Sequence, residues 1–169
     1  MTKRMLIRPP VVKQGEGFKC WAAALESWLA ATPGRQCWTQ DQLVELSAQY
    51  KRPGPDQSLP AGAINADIFK RMCNDQSTGI KMVHVEVPRG KPVDRLQVLD
   101  LLSEHWYLFI SYTTPMNDVR HANVIWSADD EGYVSVMEPM RGAYMNKLVD
   151  EFTAPVLIGH RPYSLLSIE

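Results

Sequence analysis

The sequence predicts an α+β fold, with helices in the first half of the chain and β-strands in the second half. In residues 20–32 the apolar side chains recur every three or four positions, which is the period of an α-helix. In residues 80–87 they alternate with other side chains at a period of two, which is typical of a β-strand. With 169 residues, of which 45% are hydrophobic, the chain has the length and composition of a globular domain. We therefore expect a single α+β domain over residues 1–169.

The first residues are expected to form an extended arm. Arg8-Pro9-Pro10 favours an extended backbone, because a proline disfavours the helical conformation of the residue before it, and we predict the arm over residues 1–13. Gly15 and Gly17 keep the following segment irregular. Helical spacing begins abruptly after this segment and stops at Thr32-Pro33-Gly34. The apolar face of this first helix contains Trp21, Ala24, Leu25, Trp28 and Leu29.

Two further helices are predicted before the pattern changes. The hydroxyl of Thr39 can cap the second helix while Gln42 reaches back to the Thr39 amide, an arrangement known as a capping box. The side chains of this helix that are expected to face the core are Leu43, Leu46 and Tyr50. A loop rich in proline and glycine follows over residues 51–62, and residues 64–72 have the pattern of a third, shorter helix.

The second half is predicted to consist mostly of strands. They are expected over residues 80–87, 106–112, 121–126, 133–137 and 155–168. A short helix over residues 92–103 separates the first two strands, and the turn at Asp129–Gly132 joins the third to the fourth. Pro139 and Gly142 then break the chain, and one or two helical turns are predicted over residues 146–152.

Composition and charge exclude several classes of function. The net charge is −1, so no basic surface for nucleic acid is indicated. No segment has the roughly 18 to 20 consecutive apolar residues that a membrane-spanning helix needs, and we expect no nucleic-acid or membrane partner. The N-terminus lacks the apolar stretch of a secretory signal, and the three cysteines cannot all pair, so synthesis in the cytoplasm is predicted. Delivery as an effector, through a secretion system that uses no signal peptide, is left open.

No cofactor or metal site is predicted. The cysteines and histidines do not occur in the clustered spacings that are typical of zinc sites, such as Cys-x-x-Cys or His-Glu-x-x-His. Gly15-x-Gly17 lacks the third glycine and the preceding strand of a phosphate-binding loop. The eight methionines and five tryptophans are expected to fill the core.

Cys20 occupies a position that favours nucleophilic chemistry. It lies where the irregular segment becomes the first helix, and the free amides at a helix N-terminus stabilise a thiolate. The amide of Cys20 itself can bind the oxyanion that forms when the thiolate attacks a carbonyl group. Gln14, in the irregular segment upstream, is a second candidate donor to the same oxyanion. The segment therefore combines a candidate nucleophile with two candidate oxyanion donors.

This segment resembles the nucleophile segment of papain-like cysteine proteases. Its sequence is Gln14-Gly15-Glu16-Gly17-Phe18-Lys19-Cys20-Trp21-Ala22-Ala23-Ala24. In that family a glutamine precedes a cysteine at the start of the central helix, an aromatic residue often follows the cysteine, and a helical half precedes a β-rich half. The resemblance implies a papain-like fold with Cys20 on the central helix and a histidine from the antiparallel sheet as its base.

The segment that begins at His121 is similar to the part of the family that supplies this histidine. In the family, small and aliphatic residues follow the histidine, and the next strand ends in asparagine or aspartate. Bacterial members, such as the peptidases that trim bacteriocin leaders and certain effector proteases, often have aspartate followed by proline there. This chain has Glu138 followed by Pro139, so the resemblance implies that Glu138 orients His121. Glutamate is one methylene longer than aspartate, and Asn123, on the same strand face as His121, is the alternative.

The remaining cysteines and histidines are interpreted as structural. Cys37 also precedes a tryptophan and a helix, but no glutamine lies six residues upstream, and Thr39 is expected to cap that helix. The others in this group are Cys73, His84, His105 and His160. His121 is preferred because it begins a pair of strands that ends in an acid.

The predicted activity is hydrolysis of peptide or amide bonds by a thiolate–imidazolium pair of Cys20 and His121, through a thioester acyl-enzyme. An amidase, a deamidase or an acyltransferase would form the same acyl-enzyme, so the sequence leaves these open. A papain-like module that binds peptides without turnover is the alternative from another class. The expected partner is a peptide or protein substrate, and the oligomeric state is left open.

Overall fold

A computed structural model of the chain describes residues 7–32, 34–88, 91–113 and 120–161, without the side chains of residues 153–156. The helices in these ranges are α1 (Cys20–Ala31), α2 (Gln40–Ala48), α3 (Ala66–Asn74) and α4 (Arg95–Glu104), with 3₁₀ turns at Gln76–Thr78 and Val149–Glu151. The strands are β1 (Val83–Val85), β2 (Leu108–Thr113), β3 (Arg120–Ala128), β4 (Tyr133–Glu138), β5 (Ala143–Leu148) and β6 (Thr153–His160). The predicted α+β class is therefore confirmed.

The strands form an antiparallel sheet in the order β1-β6-β2-β3-β4-β5. The β3–β4 hairpin turns where it was predicted, and the Asp129 carboxylate closes the turn by accepting hydrogen bonds from the amides of Glu131 (2.9 Å) and Tyr133 (3.0 Å). Because β3 and β4 are antiparallel, the first residues of β3 and the last residues of β4 lie at the same end of the sheet.

α1 is buried on nearly every side. The predicted apolar face is confirmed, because its residues are between 0% and 6% exposed. Ala22, Ala23 and Ser27 lie outside that face and are also buried, since α1 contacts both the sheet and α2. The small side chains at these three positions let the neighbouring elements approach closely. α1 is therefore the central helix of the fold.

The second and third helices begin at polar caps. The predicted capping box is present, with the Thr39 hydroxyl accepting from the Gln42 amide (3.2 Å) and the Gln42 side chain accepting from the Thr39 amide (3.0 Å). α3 begins two residues later than predicted, because the Asn65 side chain accepts a hydrogen bond from the amide of Ile68 (2.8 Å) and so fixes the helix start. Residues predicted to face the core from α2 are buried or partly buried against it.

The prediction of helical turns over residues 146–152 is wrong. The first part of this segment belongs to β5, and the helical part is limited to the 3₁₀ turn Val149–Glu151. β5 pairs with the whole of β4, across a turn that is closed by a hydrogen bond from the Gly142 amide to the Glu138 carbonyl (2.9 Å). Pairing with β4 outweighs the weak local helical preference of a segment that contains Met, Lys and Leu.

Other element ends differ by a few residues from the predictions. β1 covers only the middle of the strand predicted over residues 80–87, because it pairs with β6 over three residues. α4 begins at Arg95, since the Asp94 carboxylate accepts from the amide of Leu96 (2.8 Å) and caps the helix there. Residues 1–6 of the predicted arm and residues 162–168 of the predicted last strand lie outside the described residues.

Two hydrophobic clusters cover the two faces of the sheet. The first lies between the sheet and α1 and includes Val124 of β3, whereas the second includes Ile125 of β3 and residues of α4. Successive residues of a strand point to opposite faces, so His121 and Asn123 share the face of Ile125. Among the described residues, no helix is long and apolar enough to cross a membrane, and no three His, Cys, Asp or Glu side chains are grouped to bind a metal ion.

Candidate active site

Cys20 is the first residue of α1, as predicted. The preceding residue, Lys19, makes no side-chain capping hydrogen bond, so its side chain does not occupy the first amides of the helix. Cys20 is partly exposed, and its Sγ lies 3.8 Å from the carbonyl oxygen of Arg120, the first residue of β3. The free backbone amides of the first turn of α1 give its N-terminus a partial positive charge that attracts an anion such as a thiolate.

His121 lies at the start of β3, beside Cys20, and is 6% exposed. Its Nε2 is hydrogen-bonded to Oε1 of Glu138, and the ring lies close enough to Cys20 for the sulfur to help raise the pKa of His121. Because Glu138 occupies Nε2, Nδ1 is the ring nitrogen left for the thiol. The imidazole therefore connects the sulfur to a carboxylate, and the structure brings together three of the four predicted site residues.

Hydrogen bonds and charges decide the protonation states of this group. Burial by itself lowers the pKa of His121, but the hydrogen bonds and negative charges of Glu138 and Cys20 outweigh it and raise the pKa to about 9. Burial by itself raises the pKa of Glu138, but hydrogen bonds from His121 and two other donors lower it to about 2. An imidazolium and a carboxylate therefore coexist at neutral pH.

Both oxygens of the Glu138 carboxylate accept hydrogen bonds. Oε1 accepts from His121 and from the amide of Met140 (3.0 Å). Oε2 accepts from Nδ2 of Asn123 (3.0 Å) and from Nζ of Lys147 (2.7 Å). Four donors thus fix the longer glutamate side chain, and Glu138, not Asn123, is the residue that contacts the imidazole.

Lys147 and Tyr112 belong to the same buried network and were not predicted. Nζ of Lys147 also donates to the hydroxyl oxygen of Tyr112 (2.8 Å) and to Oδ1 of Asn123 (3.1 Å), while the Tyr112 hydroxyl donates to the same Oδ1 (2.8 Å). The Tyr112 ring packs edge-to-face on His121, with 5.7 Å between the ring centroids. Burial and the charge of Glu138 raise the pKa of Tyr112 well above its ordinary value, so the phenol keeps its proton.

Strand pairing is the signal that could have found these two residues. Tyr112 lies directly opposite His121 in the β2–β3 pair, and both strands were predicted. Lys147 pairs with Val134 of β4, which lies four positions before Glu138. Residues an even number of positions apart on a strand point to the same face, so Lys147 and Glu138 share a sheet face. The prediction of a helix over residues 146–152 concealed that relation.

Gln14 is held beside the turn that follows β4. The backbone amide of Gln14 donates to the carbonyl oxygen of Pro139 (2.9 Å). The side chain of Gln40 fixes both neighbours, because its Nε2 donates to the carbonyl of Lys13 (2.8 Å) and its Oε1 accepts from the amide of Gly15 (2.7 Å). Oε1 of Gln14 is buried and has no hydrogen-bond partner among the described residues. Sequence reasoning missed Gln40, and the oxyanion role of Gln14 stays a prediction.

Side chains of the core also hold the arm that leads to Gln14. Hydroxyl groups of Tyr107, Ser27 and Tyr144 donate to main-chain carbonyls of the arm at distances of 2.6 to 2.7 Å. The Arg8 guanidinium lies over the rings of Trp126 and Tyr144, at 5.5 and 5.1 Å from their centroids. The described part of the arm is therefore fixed to the body of the protein upstream of the site.

An apolar cavity of about 430 Å³ opens beside Cys20. Its polar lining residues besides Cys20 are Asn65, Ser111, Arg120 and His121, and the other lining residues are apolar. The large apolar residues that line the cavity are Phe18, Trp21, Leu59, Ile64, Phe69, Phe109 and Leu157. A cavity of this size and character fits an apolar side chain of a ligand placed next to the sulfur.

The remaining cysteines and histidines have different surroundings. Burial raises the pKa of the Cys73 thiol well above its ordinary value, whereas Cys37 is exposed. Burial lowers the pKa of His84 to about 4. His105 and His160 stack on each other, with 3.8 Å between the ring centroids. Their assignment to structural roles stays a prediction.

Fold and site together define a papain-like architecture, in which a cysteine begins the central helix and a histidine begins a neighbouring strand of an antiparallel sheet. The chain is similar to the peptidase domain of ComA from Streptococcus, which is described as a bifunctional ABC transporter involved in a quorum-sensing pathway. The two share 13% sequence identity with a TM-score of 0.64, over 90% of this chain and 98% of that domain. This similarity confirms the predicted papain-like fold. No protein-family model and no curated protein sequence matches the chain.

Proposed function

We propose that this protein is a cysteine peptidase in which Cys20 is the nucleophile and His121 is its base. The observation that carries the proposal is the series Cys20–His121–Glu138, in which Glu138 is hydrogen-bonded to His121 and the sulfur lies beside the ring, at the N-terminus of α1 and open to an apolar cavity. Side chains that only pack in a hydrophobic core do not need a buried imidazolium beside a partly exposed thiol. The fold, which is shared with a peptidase domain, supports the same reaction class.

The reaction begins with the thiolate of Cys20 and the imidazolium of His121. The sulfur forms a bond to the carbonyl carbon of the substrate amide, and the carbonyl π electrons move to its oxygen. Nδ1 of His121 then gives its proton to the amide nitrogen, the oxyanion electrons re-form the carbonyl as the C–N bond breaks, and the amine leaves a thioester on Cys20. Neutral His121 next takes a proton from water, the hydroxide attacks the thioester, and the acid and the thiolate are released.

Glu138 orients His121 through these steps. Its hydrogen bond with Nε2 keeps Nδ1 directed at the sulfur and favours the neutral ring form that carries its proton on Nε2, so that Nδ1 is free to accept and return the mobile proton. The amide of Cys20 and the side chain of Gln14 are proposed to bind the oxyanion. Gln40 supports this role of Gln14, because it fixes the backbone on both sides of it.

The substrate class that the site favours is a peptide with an apolar side chain near the scissile bond. The cavity beside Cys20 is large and mostly apolar, and burial of an apolar side chain in it supplies binding free energy in proportion to the area covered. A small polar amide would leave this cavity unfilled. Amidases, deamidases and acyltransferases share the acyl-enzyme, so their distinction from a peptidase lies in the products.

The direct test is cleavage of a library of peptides that differ in their apolar residues, with products identified by mass spectrometry. We expect wild type and the matched control Cys37→Ala to cleave next to or near apolar residues at equal rates. Cys20→Ala is expected to abolish cleavage. Cleavage by a clean Cys20→Ala preparation would contradict the proposal. Binding of peptides without any turnover by wild type would favour the module that binds peptides without catalysis.

A further inference from the structure

A buried lysine contacts the carboxylate that orients His121. The side chain of Lys147 is 13% exposed and that of Glu138 is 5% exposed, and 2.7 Å separates Nζ from Oε2. A buried ion pair is favourable only when its remaining hydrogen-bonding groups are also satisfied. Here the three Nζ protons have three acceptors, in Glu138, Asn123 and Tyr112.

The charges of the site sum to zero only when Lys147 is included. In the reactive state Cys20 and Glu138 each carry a negative charge, while His121 and Lys147 each carry a positive charge. If an uncharged side-chain amide, such as that of asparagine, oriented the imidazole, the charges of the thiolate and the imidazolium would already balance. A carboxylate in place of the amide adds a negative charge, which opposes formation of the thiolate nearby. Lys147 offsets that additional charge.

We propose that Lys147 is a positioning residue, which neutralises and holds Glu138 so that the two together act on His121 as a neutral hydrogen-bond acceptor. The inference rests on the peptidase function proposed above. It goes beyond that function because Lys147 lies on β5 and acts on the chemistry through the carboxylate of Glu138, which it contacts. It also explains why a lysine lies beside this residue. An uncharged side-chain amide at position 138 would need no cation, whereas the carboxylate of Glu138 does.

The other groups that face His121 leave this balance unchanged. Tyr112, from β2, is neutral because its pKa is raised by burial first and by Glu138 second. Cys20 raises the pKa of the ring from α1, and Glu138 is hydrogen-bonded to the ring from β4. Arg120 precedes it on β3 and is exposed, so its charge is screened by water.

The donors around Glu138 predict how an amide would be oriented at this position. Two side-chain donors, Lys147 and Asn123, converge on Oε2, whereas one amide, that of Met140, points to Oε1 besides the imidazole. After Glu138→Gln, these donors attract the amide oxygen to the Oε2 position. The NH₂ group then faces Nε2 of His121 and selects the wrong ring form. Removing Lys147 as well frees the oxygen to face His121.

The first experiment measures the titration midpoint of His121 by NMR in a Cys20→Ala background, which does not depend on turnover. Glu138→Gln is expected to lower the midpoint by at least about one pH unit, because it removes an anion and leaves a cation nearby. Addition of Lys147→Met is expected to raise it again. Lys147→Met alone is expected to raise the midpoint above that of the parent. Lys91→Met, at an exposed lysine, is the matched control and is expected to change nothing.

The second experiment measures kcat and KM in the Cys20 protein. Glu138→Gln is expected to lower kcat on the order of 100-fold, Lys147→Met about tenfold, and the double variant to recover about tenfold over Glu138→Gln, with KM within about twofold throughout. Glu45→Gln, at an exposed glutamate of α2, is the control for the amide substitution. A purely structural role for Lys147 predicts no such recovery and no change in the His121 midpoint.

Each outcome separates this inference from the peptidase function. Additive effects of the two substitutions, or an unchanged midpoint in Lys147→Met, would overturn the role of Lys147 while normal cleavage leaves the function intact. If the His121 midpoints shift as expected but the wild-type protein cleaves no peptide, the role of Lys147 in holding Glu138 is supported and the peptidase function is contradicted. If Glu138→Gln fails to fold, the comparison of Lys147→Met with Lys91→Met decides the matter alone.

Discussion

Cys20 and Cys37 occupy similar sequence positions and very different sites. Each is followed by a tryptophan whose indole N–H donates to a main-chain carbonyl, at 2.8 Å for Trp21 and 2.9 Å for Trp38. Each also lies at or near the start of a helix. Cys20, however, begins α1 without a side-chain cap, whereas α2 begins after Thr39, whose hydroxyl accepts a hydrogen bond from the amide of Gln42, and the amide of Gln40 donates to Glu26.

The difference shows which features make one cysteine a candidate nucleophile. A helix N-terminus favours a thiolate only when its amides are not already bound to another acceptor. The second requirement is a base within reach, and only Cys20 of these two has a histidine beside it, with a carboxylate hydrogen-bonded to that histidine. The tryptophan packs on the same hydrophobic core in both places.

Loss of the base tests this comparison with the largest expected effect. His121→Ala is expected to lower kcat/KM on the order of 10⁴-fold, since neither the thiolate nor protonation of the leaving amine is then supported. Thermal denaturation of the variant checks that the fold is retained. A loss smaller than tenfold in a folded variant would mean that another group activates Cys20.

The glutamine upstream of each cysteine offers a second contrast. Gln14→Ala is expected to lower kcat on the order of 100-fold, equal to about 3 kcal/mol of barrier, because one oxyanion donor is lost. Gln36→Ala, which removes the exposed glutamine next to Cys37, is the control and should leave kcat within twofold. Equal rates for the two variants would remove Gln14 from the oxyanion site.

The pH dependence follows from the raised pKa of His121. The imidazolium that protonates the leaving amine persists up to about pH 9, so kcat is expected to fall as the pH rises through about 9. Protonated His121 stabilises the folded state fully below its ordinary pKa of 6.5, and this stabilisation is lost as the pH rises through about 9. The check is a pH profile of kcat, together with Tm at each pH. An alkaline limb of kcat near pH 6.5 would contradict the hydrogen-bonded series at His121.

The cap of α2 gives the smallest expected effect. Thr39→Ala removes the capping hydrogen bond and should lower the free energy of unfolding by about 1 kcal/mol, as measured by denaturant titration. Because Thr39 serves the helix beside Cys37, the labelling rate of Cys20 is expected to stay within twofold. A large loss of Cys20 reactivity would show that α2 controls the site more directly, for instance through Gln40.

Local patterns were sufficient where a few neighbouring residues determine the structure. The capping box of Thr39 and Gln42, the buried face of α1 and the β3–β4 turn are all decided within short segments, and each prediction is confirmed. The order of Cys20, His121 and Glu138 along the chain was informative because a papain-like fold brings such positions together.

The remaining features depend on contacts between distant segments. β5 is a strand because it pairs with β4, and nothing in its local composition records that partner. Once this strand was interpreted as helix, Lys147 could not be placed beside Glu138. Gln40 escaped prediction for a similar reason, since its side chain reaches main-chain atoms of Lys13 and Gly15 on another segment.

The activation of Cys20 is tested most directly by the reactivity of the three cysteines towards iodoacetamide at about pH 6, with the labelled positions identified by mass spectrometry. An ordinary thiol reacts slowly at this pH. We expect fast labelling of Cys20 alone in wild type, and its loss in His121→Ala, while Cys37 reacts slowly in both proteins although it is exposed. Slow and equal labelling of Cys20 and Cys37 in the folded wild type would contradict the central claim that Cys20 is an activated nucleophile.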